Sequence, residues 1–186
     1  MALLDEDFKE TQILKAGEQG WAMFDVTPFY AQSGGQAGDS GEIVGAADVL
    51  DTQKFFGLNL SNVAVKKELK VGDTVKLKVS EQRAEIARHH SATHLLHAAL
   101  RSVLGTHIAQ AGSSVEASRL RFDFSHPKAV TEEELTKIEN FVNSAIAESI
   151  AAKTEIMDIE DAKNSGAIAL FGEKYADKVR VLSFGE

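Results

Sequence analysis

Cysteine is absent from this 186-residue chain, so neither a disulfide framework nor a thiolate-held metal can form within it. No apolar run is long enough to span a bilayer, and the N-terminus MALLDEDFKE lacks the basic-then-apolar build of a signal peptide. Internal repeats and low-complexity tracts are missing too. Basic charge is in short supply: 20 Lys and Arg stand against 28 Asp and Glu, a formal net charge of −8. Gripping a nucleic-acid backbone relies on cations that neutralise phosphates, so this balance confines any RNA contact to a local patch. What is present is an ordinary globular composition, 44% hydrophobic and 26% charged, in a length that suits one large domain or two small ones. The expectation is a cytoplasmic protein with no membrane partner.

Up to about Ser80 the chain offers short β-type runs, at Thr11–Lys15, Trp21–Val26, Val49–Thr52, Val63–Lys67 and Thr74–Val79, punctuated by Gly and Asp-Gly turns. Val75, Leu77 and Val79 alternate with Lys76 and Lys78, as in a strand with one buried face. Many short strands with frequent turns predict a small barrel or sandwich over residues 1–80. From Glu81 the pattern turns helical, rich in Ala, Leu, Glu and Arg and free of Pro and Gly until Gly105. A hairpin-like region follows, with Leu120, Phe122 and Phe124 alternating with charged residues. Thr131 and Glu134 then form a capping-box signature ahead of a helical stripe at Leu135, Ile138, Val142 and Ile146, which is expected to be core. A short helix near Ile159–Asn164, closed by Gly166, and a run at Val179–Leu182 complete an α+β pattern over residues 81–186.

The long helix carries Arg88-His89-His90-Ser91-Ala92-Thr93-His94-Leu95-Leu96-His97. His90 and His94 lie four apart on one face, so two imidazoles could meet one metal, and His97 shares that face. His90 and His97 are about 10 Å apart along the axis, so the pair is His90/His94 or His94/His97, the first having the standard spacing. In isolation such a pair is more often a set of ordinary helix histidines. Ser91 stands where a metalloprotease would place its glutamate, which removes that reading.

Four ordered segments change the weighing. The run His90–Leu100 resembles the editing-domain motif of alanyl-tRNA synthetases and their free-standing deacylase relatives. So, in order, do Thr27-Pro-Phe-Tyr-Ala-Gln-Ser-Gly-Gly-Gln-Ala-Gly-Asp39, Leu120-Arg-Phe-Asp-Phe-Ser-His126, and Ala169–Tyr175 followed by Val179–Ser183. The resemblance implies a translation-factor-like β-barrel followed by an α+β editing domain shared with threonyl-tRNA synthetases. It implies hydrolysis of the ester that joins a wrongly attached serine or glycine to tRNA(Ala), with the acceptor end of that tRNA and the rest of the parent synthetase as partners. A second, hydrolytic site supplies the discrimination that a small pocket cannot achieve against a near-isostere.

The same resemblance assigns roles. His90 and His94 match the first two of four zinc ligands. Thr93 matches a threonine linked to amino-acid discrimination, although a mid-helix threonine commonly bonds back to the preceding turn. Gln110 matches a glutamine that positions substrate or water. Ser33, Gly34, Gly35 and Gln36 belong to a loop that walls the tRNA terminus, where glycines permit close backbone approach. Asp123 could accept hydrogen bonds beside the site or pair with a neighbouring cation on the strand face. Lys174 is a candidate phosphate contact, as are Arg119 and Arg121, with solvated surface charge the default for each.

The family completes its zinc site with a Cys-x-x-x-His segment that this chain lacks, so residues 81–186 read as an editing domain incomplete at its C-terminal side. ATP and Mg belong to the parent's aminoacylation domain, which nothing here resembles. The alternative to an editing hydrolase is a non-catalytic tRNA-binding or assembly module without metal.

Overall fold

The computed structural model describes residues 1–167 and 176–184. The chain divides into two compact units, one of Met1–Thr93 with Gly112–Phe122 and one of His94–Ala111 with Asp123–Glu186. The chain is mixed, with antiparallel strands and a few helices, of which the first unit holds only the start of one. Among the described residues no helix is long and apolar enough to cross a membrane.

The first unit is built on β1 (Ala2–Leu4), β2 (Glu10–Thr11), β3 (Ile13–Leu14), β4 (Gln19–Met23), β5 (Gly41–Ile43), β6 (Ala47–Phe55), β7 (Leu58–Val65), β8 (Leu69–Lys70) and β9 (Leu77–Val79). Seven of these form one antiparallel sheet in the order β2-β1-β4-β7-β6-β5-β9, and β3 pairs separately with β8. Of the small barrel or sandwich expected over residues 1–80, no closed barrel is formed: β2 and β9 are the sheet's edges, and with two and three residues they are short. Leu14 and Leu69 of the separate pair nonetheless join Leu3, Ala22, Ile43, Ala47, Val49, Val63 and Val65 in one apolar core.

Within β6 the inward set is Ala47, Val49 and Thr52, an even-spaced pattern broken by one residue. The cause is a bulge between Val49 and Asp51, which leaves Leu50 exposed and pairs Thr52 with Ser61 and Asp51 with Asn62. The extra residue turns Thr52 inward, and its hydroxyl meets that of Ser61 at 3.1 Å. That shift matters for the loop described below.

Helix α1 (Gln82–Leu104) follows the predicted bounds almost residue for residue. The hairpin is β10 (Gln110–Val115) with β11 (Leu120–Phe124). In the second unit α2 (Glu132–Ala147) starts with the predicted capping box: Thr131 Oγ1 accepts from Glu134 N, and the Glu134 carboxylate accepts from Thr131 N. β12 (Ala152–Asp158) pairs antiparallel with β13 (Lys178–Phe184) in full register, and α3 (Ile159–Asn164) lies against both. The stripe on α2 is not the core it was expected to be. Ile138 is buried, but Leu135 and Ile146 are exposed, so among the described residues the stripe is covered along only part of its length.

Candidate functional site

The Gly-Gly segment forms a tight turn. Ser33 N donates to Gln36 O at 3.3 Å and Gln36 N to Ser33 O at 3.0 Å, with Gly34 and Gly35 at φ +57° and +80°. Two successive positive φ values define the turn type that best suits a two-residue hairpin loop, and glycine adopts them without steric cost. The turn is docked on β10: Val115 N donates to Gly35 O at 2.8 Å and Ala37 N to Val115 O at 3.0 Å. A Cβ on Gly35 would collide with the Ser113 carbonyl. Gln36 is buried, while Ser33, Gly34 and Gly35 are exposed, so the turn presents backbone to solvent on a rigid base.

Two further ties hold this frame within the first unit. The Asp39 carboxylate, 2% exposed, accepts from Arg83 Nη1 at 2.9 Å on both oxygens, joining the end of the loop to the first turn of α1. His89 Nδ1 meets Glu116 O at 2.7 Å, joining α1 to the bend of the hairpin. The loop, the helix and the hairpin are thus each bound to the other two.

His90 and His94 sit on α1 with their side chains exposed, whereas His97 is 7% exposed. Burial pushes the His97 pKa down, Arg101 adds repulsion, and a hydrogen bond to the Ile108 backbone partly offsets both. The choice left open between the two spacings therefore favours His90/His94, since His97 is held in its own packing. Among the described residues no group of three or more His, Asp or Glu comes together as a metal site. Two imidazoles four apart on a helix fit half of a tetrahedral nitrogen and sulfur site, and the other half is not found among the described residues.

Thr93 is buried and donates from Oγ1 to His89 O at 2.9 Å, the back-bond common for a mid-helix threonine. Gln110 opens β10 and Asp123 lies near the end of β11, both partly buried. His126, the last residue of the third motif, meets His107 with Nδ1 and Nε2 2.9 Å apart. Arg119 lies 3.9 Å from Glu116 at the hairpin bend, an exposed pair of little energetic weight. Lys174 and the Ala169–Tyr175 motif lie outside the described residues.

Sequence reasoning had no role for Arg83, Tyr30 or His89, and Asp39 entered only as the end of a motif. No spacing rule links Asp39 to a residue 44 positions on. The available signal was a lone Asp closing a glycine loop and a lone Arg at a helix start, which is too common to single out.

Residues 1–83 match the family model described as tRNA synthetases class II (A). Over its full length the chain is 63% identical to the alanine–tRNA ligase of Sulfurimonas denitrificans, 56% identical to that of Helicobacter hepaticus and 59% identical to one from Campylobacter jejuni. In each case it spans 22% of the relative's length.

Proposed function

Because this chain belongs to the alanine–tRNA ligase family along the whole of its length, we propose that it is the part of such an enzyme that hydrolyses mischarged seryl- or glycyl-tRNA(Ala). The observation that carries the reading is the Gly34–Gly35 turn, fixed by hydrogen bonds to β10 and, through Asp39, to the helix that bears His90. Exposed backbone on a rigid turn suits close approach by a ribose and its ester, and Ser33 and Gln36 flank that approach. Thr93 and Gln110 act on the aminoacyl group, Asp123 accepts hydrogen bonds beside it, and Lys174 contacts phosphate. The partners are the tRNA(Ala) acceptor end and the rest of the synthetase, which joins alanine to tRNA(Ala) with ATP and Mg outside this chain. The location is cytoplasmic.

A bound zinc supplies a Lewis acid and an open coordination position. His90 and His94 would supply two of its ligands, and the full-length synthetase would supply the remaining donors. The residues present bind and orient, and by themselves they would hold the ion only weakly.

The test compares the full-length synthetase with this chain, using preformed seryl-tRNA(Ala) and metal analysis of both proteins. The full-length enzyme is expected to deacylate and to carry zinc, and His90→Ala or His94→Ala to lose both. The 186-residue chain alone is expected to bind zinc weakly and to deacylate barely. Efficient hydrolysis by the chain alone would remove the need for outside ligands, and no hydrolysis by the full-length enzyme would remove the editing reading.

A further inference from the structure

Residues 30 to 39 form a loop with a tied neck. Asp39 N donates to Tyr30 O at 2.9 Å, and Tyr30 N donates to Asp39 Oδ2 at 2.8 Å. Tyr30 Oη donates to Ser33 O at 3.1 Å, carrying the tie into the Gly-Gly turn. From behind, Thr52 Oγ1 donates to Asp39 O at 2.9 Å and Gln32 N to Thr52 O at 2.9 Å, contacts that exist because the β6 bulge turned Thr52 inward. Arg83 then reaches the neck from α1. Its guanidinium meets both Asp39 oxygens and lies over the Tyr30 ring, 5.4 Å from the centroid. Seven residues further on, about 10 Å along the helix, is His90.

We infer that Asp39 and Arg83 are a positioning pair that sets the Gly-Gly turn at a fixed distance from the histidine helix, and so determines how tightly the aminoacyl ester is held. The inference rests on the editing reading above. The unit's apolar core is complete without this pair, and an ion pair with one buried partner is weak evidence for stability, since neutral replacement is often tolerated. What the pair adds is geometry. One guanidinium nitrogen bonded to two carboxylate oxygens, with the ring of Tyr30 beneath, leaves the neck little freedom to slide along α1. Neither side chain touches substrate in this scheme; both act through Tyr30 and Ser33.

The test uses the full-length synthetase and seryl-tRNA(Ala), measuring KM, kcat and melting temperature for the parent, Arg83→Lys, Arg83→Gln and the doubly neutral Asp39→Asn/Arg83→Gln protein. Arg83→Gln is expected to raise KM about tenfold, the loss of one good contact, with kcat within about twofold. Arg83→Lys is expected to recover part of that loss. The doubly neutral protein, which leaves no buried charge unpaired, is expected to regain the parent melting temperature while keeping the raised KM. A doubly neutral protein with both parental KM and parental melting temperature overturns the inference, as does a KM defect that tracks thermal stability across every variant. If the parent enzyme itself fails to deacylate, the editing reading fails and this inference falls with it.

Discussion

Gly34 and Gly35 are adjacent, both exposed and both at positive φ, yet an added methyl group meets different surroundings at each. At Gly34 a Cβ reaches open space, so Gly34→Ala carries only the left-handed backbone cost, about 1 kcal/mol. At Gly35 the same cost applies, but the Cβ also strikes the Ser113 carbonyl and hydroxyl, and the turn must lift from β10. Lifting breaks the bonds from Val115 N to Gly35 O and from Ala37 N to Val115 O. At about 1 kcal/mol each, these bring Gly35→Ala to roughly 3 kcal/mol. Trp21, the chain's single tryptophan, lies in the same unit, buried and stacked on Phe8 at 5.0 Å, so urea unfolding followed by its fluorescence reads this unit directly. Losses that agree within about 0.5 kcal/mol would refute the docking of the turn on β10 as an energetic fact.

His97 carries a lowered pKa in the folded chain, so the unfolded chain takes up more protons as pH falls. Its contribution to stability is complete above the ordinary value of 6.5 and is lost as pH drops from there toward the folded value; urea midpoints by circular dichroism at about pH 7.5 and about pH 5.5 should differ less in His97→Gln than in the parent. Thr93→Val removes a hydroxyl whose acceptor, the His89 carbonyl, keeps its main-chain helical partner, so stability should fall by less than about 1 kcal/mol. If Thr93 discriminates, deacylation of the seryl ester should suffer more than that of the glycyl ester; equal losses would reduce Thr93 to a structural residue. Phe56 occupies the left-handed region at φ +50° before Gly57 and is fully exposed, so Phe56→Asn should raise stability by about 0.5–1 kcal/mol in the same fluorescence assay.

Period and punctuation made much of the architecture readable. The bounds of α1, the capping box at Thr131 and the halves of the hairpin are local signals, set within a few residues by propensity and hydrogen-bonding chemistry. Failures came where the answer depended on distant partners. The barrel-or-sandwich expectation named five β-type runs where nine short strands form, and it could not tell that β3 and β8 would pair with each other and leave β2 and β9 as edges. The α2 stripe had helical spacing, but spacing gives a face its apolarity without saying what covers it, and Leu135 and Ile146 stay exposed. The site divides in the same way. His90 and His94 are four apart in the sequence and on a helix, so their relation was legible; Asp39 and Arg83 are 44 apart, and only folding brings them together.

That division explains how a frame for chemistry can be assembled from short, individually unremarkable segments. A helix converts sequence separation into a fixed distance, about 1.5 Å for each residue. On α1, Arg83 fixes the glycine loop, His89 fixes the hairpin bend, and His90 follows His89 directly. The loop is in turn tied to the hairpin through Val115. Three ties among three segments form a closed triangle, and loosening any one edge leaves two to resist displacement. A single substitution at an edge should therefore shift the turn by a fraction of its freedom, whereas removing two edges together, as in Arg83→Gln with Gly35→Ala, should cost more than the sum of the two alone. Additivity within about 0.5 kcal/mol in a double-mutant cycle would mean that the three segments are held independently, and that the turn keeps no fixed relation to the histidine helix.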